Sequence, residues 1–248
     1  MDGVVIMRYL IDFSYCGQLF NGYQKQKNLR TVQEEIEKVL TSINNSPVTI
    51  YSAGRTDALV NALHQKAHFD LKNEIECYKL KGALNSYLPE DIHINEVSLV
   101  GNDFHARYMV KEKTYEYKIN MGEYNPILRT QVYQYCRPLD VSLMKKAIKD
   151  FKGNHDFTTF SSAEDKRDNK VRMINDVMLI REKDLIILRF KSKGFLKYQV
   201  RSMVGTLIKI GEGKLRPDII PSLIDKKDRK SAPFMAPSNG LTLINIEY

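Results

Sequence analysis

A polar turn between two apolar segments constrains this chain more than any other part of it. The turn spans residues 54–58, with the sequence Gly-Arg-Thr-Asp-Ala, after Val48 and Ile50 and before the alternating run 67–70. It holds one guanidinium and one carboxylate two positions apart, which suits the rim of a cleft. Gly, Thr and Asp are also ordinary turn and helix-cap residues, so a purely structural turn is the alternative interpretation.

The spacing of apolar residues predicts alternating strands and helices around this turn. Residues 7–13 alternate between apolar and polar side chains, which is typical of a strand with one buried face. Residues 31–34 have the Thr-x-x-Glu pattern of a capping box, and the helical periodicity after it predicts a helix over about 32–43. The same criteria predict strands at about 92–97, 113–119 and 185–190, and helices at about 79–88, 140–151 and 200–211.

The charge balance favours a polyanionic partner. Lys and Arg number 38 against 30 Asp and Glu, a net charge of +8, and 14 Tyr and 10 Phe are spread among these cations. Flat rings among cations suit unstacked nucleobases better than a membrane surface. Charge alone does not decide the question, because many basic proteins bind no nucleic acid.

The cysteines and the N-terminus indicate a cytosolic protein. Cys16, Cys77 and Cys136 are odd in number and far apart, so neither a disulfide framework nor a cysteine zinc site is indicated. The apolar run at residues 4–7 is too short for the core of a signal peptide. A reducing compartment is therefore expected.

Several ordered motifs resemble one family. Residues 54–58 followed by Ala-His-Phe at 67–69 are similar to the signature of the tRNA pseudouridine synthase A family. The likeness continues over nearly the whole chain, in the segments at 104–107 (Phe-His-Ala-Arg), 113–117 (Lys-x-Tyr-x-Tyr), 155–157 (His-Asp-Phe), 195–201 (Phe-Leu-x-x-x-Val-Arg) and 240–241 (Gly-Leu).

The resemblance implies a fold and an activity. The fold would be α+β, with two ferredoxin/RRM-like α/β halves sharing a mostly antiparallel sheet, here residues 1–107 and 108–248. The activity would be isomerisation of uridine to pseudouridine in the anticodon stem-loop of tRNA, at positions 38, 39 and 40. The enzyme would work as a homodimer, without cofactor or metal.

The resemblance also implies roles for individual residues. Asp57 would be the nucleophile, Tyr115 would stack on the base and could relay a proton, and Arg201 would pair with Asp57. Tyr117 is the less favoured of the two tyrosines, and His105 is given no catalytic role, because a single histidine beside Phe is more often structural. Substrate binding would fall to four further residues: Arg55, Leu241, Gln24 and Arg107.

The chemistry gives a reason for this set. Making pseudouridine breaks the bond between ribose C1′ and uracil N1 and rejoins the base through C5, which needs an ionised carboxylate as nucleophile. Burial raises the pKa of an Asp, and a nearby guanidinium opposes that shift. A target uridine inside a stem must also be flipped out, at a cost of about a few kcal/mol of stacking.

The chain departs from the family pattern close to the proposed nucleophile. Leu59 stands where the family usually has Gly, Asn61 where it has His, His64 where Gly is common, and Tyr23 where Trp is common. If the family Gly has a positive φ, Leu59 costs on the order of 1 kcal/mol or changes the loop path. These changes suggest a divergent member.

Two other functions compete with the isomerase. A tRNA-binding protein that kept the fold and lost catalysis has no need of Asp57, Tyr115 and Arg201 together. A metal-dependent nuclease needs clustered carboxylates, which are missing around Asp57. The charged runs at 164–172 and 226–230 are interpreted as solvated surface, with an RNA-gripping loop as the alternative for the first.

Overall fold

The computed structural model describes residues 6–248, which divide into two compact units. Unit 1 comprises the chain up to Lys111 together with Leu243–Tyr248, and unit 2 comprises Glu112–Thr242. Part of the N-terminal apolar run, residues 4 and 5, lies outside the described residues. The elements in chain order are β1 (Met7–Tyr15), α1 (Val32–Asn44), β2 (Tyr51–Ser52), β3 (Asn61–Leu71), α2 (Cys77–Tyr87), β4 (Ile92–Leu99), β5 (Glu112–Asn120), β6 (Tyr133–Gln134), α3 (Val141–Ala147), β7 (Gly153–Asp156), β8 (Val171–Glu182), β9 (Leu185–Ser192), α4 (Gln199–Gly211), α5 (Ile220–Lys226) and β10 (Leu241–Glu247).

The sheet of unit 1 is built around β1. This strand pairs antiparallel with β3 on one side and with β4 on the other, so that Tyr9 lies opposite both Phe69 and Leu99. The short strand β2 pairs antiparallel with β3, and β10 is also a neighbour of β3. Alternate residues of β1 are fully buried, as the periodicity predicted. Their apolar face and the buried side chains of α1 and α2 form the core of this unit.

In unit 2 the longer strands also pair antiparallel. Its strands follow the order β5, β9, β8, β7, and the two-residue strand β6 pairs parallel with β5. Helix α4 is buried along almost its whole length. The predicted helix over 140–151 is split, because α3 ends at Ala147 and a tighter 3-10 turn covers Ile148–Phe151. Both units combine helices with antiparallel strands, which confirms the α+β class.

The helix predicted after Thr31 begins where expected, but the capping box predicted there does not form. Thr31 is at the N-cap position, but its side chain makes no capping hydrogen bond, and its buried hydroxyl has no hydrogen-bond partner among the described residues. The first N–H groups of the helix donate instead to backbone carbonyls, Val32 to Gly22 and Gln33 to Tyr23. A loop lying across the helix start therefore supplies the acceptors that the capping side chain was expected to supply.

No helix within residues 6–248 is both long enough and apolar enough to span a bilayer.

A buried histidine on β3 makes stability depend on pH. His68 is 2% exposed, and its Nδ1 accepts a hydrogen bond of 3.1 Å from the Ala106 N–H, which requires a neutral ring. Burial, with the nearby His105 and Arg8, lowers the pKa of His68 from 6.5 to about 4. Since the unfolded chain takes up a proton in this window and the folded chain does not, this stabilisation is present above pH 6.5 and lost as the pH falls towards 4.

We expect His68→Asn to flatten the acid side of the stability curve, because Asn keeps an acceptor near Nδ1 and cannot take up a proton. Relative to this variant, the wild type should lose about 1–3 kcal/mol of additional unfolding free energy between pH 6.5 and 4.5, measured by urea unfolding. The control is His93→Asn, since His93 is exposed. Equal slopes for wild type and His68→Asn would contradict the buried neutral ring.

Candidate active site

The segment that carries Asp57 is a tight loop between two strands. Residues 53–60, called the Asp57 loop below, connect β2 to β3. The Ala53 N–H donates to the Lys66 carbonyl at 2.8 Å, and the Val60 N–H donates back to the Asp57 carbonyl at 3.3 Å. Asp57 is half-buried and Arg55 is exposed, so the loop leaves the two charged groups in different surroundings.

Buried polar side chains from β1 and β3 fix the loop from beneath. The Tyr15 hydroxyl and the Thr56 hydroxyl lie 2.8 Å apart in a hydrogen bond beside the Asp57 backbone. The Gln65 amide donates to the Gly54 carbonyl at 3.0 Å. Burial raises the pKa of Tyr15 to about 12, so its hydroxyl keeps its proton and stays available for the hydrogen bond with Thr56.

A second loop, residues 17–23, lies against the Asp57 loop on another side. A Cβ on Gly17 would lie 2.3 Å from the Val60 carbonyl oxygen, so no side chain fits there. The Gly17 N–H donates to the Asn61 side-chain oxygen at 2.8 Å, and the Tyr23 N–H donates to the Thr56 carbonyl at 3.1 Å. Asn61, which departs from the family pattern, is buried at the start of β3, directly after the Asp57 loop. Its hydrogen bond with Gly17 joins the end of that loop to residues 17–23.

Leu59 has the positive φ that the comparison with the family Gly anticipated. Its φ is +68°, in the left-handed region that disfavours a branched or bulky side chain, and 44% of the residue is exposed. Leu59 therefore bears backbone strain. The expected conditional cost of about 1 kcal/mol therefore applies to this chain.

The two tyrosines of β5 have different surroundings. Tyr117 is fully buried, its hydroxyl donates to the Pro237 carbonyl at 2.8 Å, and its ring lies so close to Gly240 that a Cβ there would clash. Burial raises the pKa of Tyr117 well above its usual value. Tyr115 is 8% exposed and its ring meets Phe195 edge to face at 5.3 Å. Tyr117 is thus held in the core.

Arg201 lies in the first turn of α4 and is almost buried. Its Nε donates to the Ala236 carbonyl at 2.8 Å, and the Ala236 N–H donates back to the Arg201 carbonyl. The guanidinium carbon is 5.2 Å from the centre of the Tyr198 ring, and Tyr198 itself has a φ of +66°. The segment before α4 and the segment around Ala236 therefore set the direction of this side chain. Leu241, the first residue of β10, is buried.

The remaining predicted site residues lie on the surface. Gln24 and Arg107 are both exposed in unit 1. Gln24 follows Tyr23, whose N–H bonds to the Asp57 loop, so it adjoins that loop along the chain. Arg55, Gln24 and Arg107 belong to unit 1 with Asp57, whereas the other three predicted residues, Tyr115, Arg201 and Leu241, belong to unit 2.

Sequence reasoning missed Tyr15 and Gln65, the side chains that fix the Asp57 loop. Both lie on strands, where a polar residue on a buried position is the only signal, and the pairing that brings them under the loop is not visible in the sequence. Across residues 6–248, no group of three or more His, Cys, Asp or Glu side chains is placed to hold a metal ion.

The backbone of Leu59 gives a direct test of the loop conformation. We expect Leu59→Val to lower the free energy of unfolding by about 1 kcal/mol, because a β-branched residue tolerates positive φ less well than Leu, while Leu59→Gly and Leu59→Asn leave it equal or raise it. The control is Leu63→Val, which should not lower the free energy of unfolding in this way. Leu63 is 51% exposed but lies in β3, where Val is favoured. If urea unfolding showed the Leu59→Val variant to be more stable than the Leu59→Gly variant, a left-handed backbone at Leu59 would be excluded.

Comparison with known proteins agrees with these motifs. The sequence model of the tRNA pseudouridine synthase family matches residues 13–109 and 147–248. A tRNA pseudouridine synthase A 1 of Bacillus cereus (strain ATCC 14579) is 44% identical over 237 residues, covering 95% of this chain and 96% of the relative. A tRNA pseudouridine synthase A of Streptococcus pyogenes serotype M1 is 43% identical over 247 residues, covering 98% and 99%. The resemblance inferred from the motifs is confirmed, and the chain belongs to the tRNA pseudouridine synthase family.

Proposed function

We propose that this protein converts uridines of the tRNA anticodon stem-loop to pseudouridine, with Asp57 as the nucleophile. Membership of the family, over nearly the full length of relatives named tRNA pseudouridine synthase A, makes it an isomerase that acts on tRNA. The observation that carries the assignment to Asp57 is the Asp57 loop, in which a carboxylate is presented on backbone fixed by buried hydrogen bonds.

The reaction balances without an external reactant. The Asp57 carboxylate attacks either the sugar or the uracil ring, and the C1′–N1 bond breaks. The base turns, C5 bonds to C1′, the bond to Asp57 breaks so that the carboxylate is regenerated, the C5 proton leaves and N1 gains a proton. Because bonds and protons are only rearranged, the proposed chemistry uses no redox step and no phosphate. The chain needs only to position the uridine, keep the Asp57 carboxylate ionised and relay a proton.

The other site residues have supporting roles in this proposal. Arg201 keeps Asp57 ionised, which fits a guanidinium whose direction is fixed by the Ala236 carbonyl. Tyr115 stacks on the base, and Leu241 packs against it. Arg55 fills the space that the flipped nucleotide leaves, and Gln24 and Arg107 contact the RNA. Both are exposed, as an RNA contact requires.

The assembly and setting belong to the same proposal. The protein acts as a cytosolic homodimer that binds tRNA across both subunits, with residues 1–107 carrying the nucleophile and residues 108–248 carrying Tyr115, Arg201 and Leu241. The net charge of +8 supports a salt-dependent contribution from phosphate contacts.

Asp57→Asn tests the nucleophile. We expect this variant to form pseudouridine at least about a thousandfold more slowly than wild type, because the amide cannot attack, while tRNA binding changes little. The product is mapped by carbodiimide labelling and primer extension on unmodified tRNA, without added metal. Asp218→Asn is the matched control, because the Asp218 carboxylate is 66% exposed and lies beside Arg216.

Three results would decide against parts of the proposal. Wild-type rates in Asp57→Asn would remove Asp57 as nucleophile. Primer stops only outside the anticodon stem-loop would overturn the target. Tight tRNA binding by wild type without any new stop would favour the competing function, a binding protein that lacks catalysis.

Substitutions at the two tyrosines of β5 separate structure from chemistry. We expect Tyr117→Phe to lower the free energy of unfolding by about 1 kcal/mol, because the Pro237 carbonyl loses its donor, and to leave the single-turnover rate nearly unchanged. Tyr115→Leu should lower that rate about a hundredfold, because the flat ring is lost. The reverse pattern would assign the site role to Tyr117. Tyr115→Phe then shows whether the hydroxyl also relays a proton.

A further inference from the structure

Four rings of unit 1 form a connected row outside the Asp57 loop. Tyr51 of β2 stacks on His68 of β3 with ring centres 5.1 Å apart and an interplanar angle of 22°. His68 meets His105 at 4.7 Å, and His105 meets Tyr108 at 4.2 Å. Tyr51 and His105 are themselves 6.0 Å apart. These four residues are called the aromatic row below.

The row is held in place by hydrogen bonds to its supporting segment, residues 101–109. The Ala106 N–H donates to His68 Nδ1, and the Ala106 carbonyl accepts from the Tyr248 hydroxyl at 2.8 Å. Arg8 donates to the Phe104 carbonyl at 3.0 Å. The Tyr108 N–H donates to the His105 carbonyl at 3.1 Å, which fixes the backbone at the last member of the row. The backbone that carries the rings is therefore positioned before any partner arrives.

The two ends of the row are open to solvent. Tyr51 is 51% exposed and Tyr108 is 71% exposed, whereas His68 between them is buried. A rigid aromatic surface that stays exposed gains nothing for folding and is typical of a binding site. The open faces of the two tyrosines are flat, and flat rings are the groups on which unpaired nucleobases stack.

Arg107 is the exposed cation of the segment that supports the row. Arg107 is exposed, lies two residues after His105, and donates its backbone N–H to His105 Nδ1 at 3.1 Å. Asp70, an acidic residue of β3, is neutralised by a two-point ion pair with Arg8 at 2.8 and 2.9 Å. Asp103 is an exposed acidic group in the same supporting segment, and its negative charge offsets the positive charge of Arg107. Exposed tyrosine rings and an exposed arginine next to Tyr108 in the chain match a base and its phosphate.

We propose that the aromatic row binds an unpaired nucleotide of the RNA substrate other than the uridine that is isomerised, with Tyr108 stacking on its base and Arg107 contacting its phosphate. The inference rests on the proposed function for the identity of the RNA. Tyr51 and Ser52 form β2, and the Asp57 loop begins at the next residue. The same short strand therefore carries one ring of the row and leads into the loop.

A protein partner fits these features less well. Stable protein interfaces bury about 800 Å² on each side around an apolar centre. The row offers two exposed tyrosine rings, and Arg107, the residue before Tyr108, is exposed as well. This composition suits stacking with one phosphate contact, and a protein contact is an outcome that the experiment below detects.

The test compares variants of Tyr108 with a matched surface tyrosine. Tyr108→Ala should weaken the affinity for unmodified tRNA about five- to hundredfold in filter binding at one fixed salt concentration, because the stacking face is lost. Tyr108→Phe keeps a flat ring and should bind like wild type. Tyr87→Ala is the control, since Tyr87 is 73% exposed on α2, away from the row, and should also bind like wild type.

Several results would overturn the inference. One is wild-type affinity in Tyr108→Ala, and another is an equal loss in Tyr108→Phe, since either would exclude stacking. A change in molar mass of Tyr108→Ala on gel filtration would assign the row to a protein contact. Failure of the proposed function is distinguishable: wild type would then form no pseudouridine, while weaker tRNA binding by Tyr108→Ala alone would still support the row.

Discussion

The close backbone approach between Gly17 and Val60 is the constraint on which the candidate site of unit 1 depends. No side chain fits at Gly17, and its N–H bonds to Asn61, so the loop at 17–23 lies directly on the Asp57 loop. Tyr15 and Gln65 hold the same loop from the strands beneath. Loops fixed in this way position a charged side chain without reorganisation when a substrate binds, which is the property that a nucleophile requires.

This arrangement explains how the departures from the family pattern are accommodated. Leu59 has a left-handed backbone at a cost of about 1 kcal/mol, which the surrounding hydrogen bonds offset. Asn61 replaces a family histidine with a shorter side chain whose oxygen reaches the Gly17 N–H. Neither change removes a group that the proposed reaction uses.

Much of the fold could be predicted from the sequence, because the strands and helices named in advance have clear apolar periodicity. Strand β8 was not predicted, since few of its residues are buried and its apolar positions do not alternate regularly. The cap of α1 was wrong because a distant loop supplies its acceptors. For the site, motifs identify the residues expected to react, but the side chains that fix the Asp57 loop act through strand pairing and loop contacts that no local pattern encodes.

Amide hydrogen exchange by NMR on the free protein tests the central claim, that the Asp57 loop is fixed before tRNA binds. The informative amides are those of Tyr23, Ala53 and Val60, which donate across or within the loop contacts. The account predicts that they exchange nearly as slowly as amides in the pairing of β1 with β3. Exchange orders of magnitude faster than in those strands would contradict it and would mean that the loop becomes ordered only on RNA.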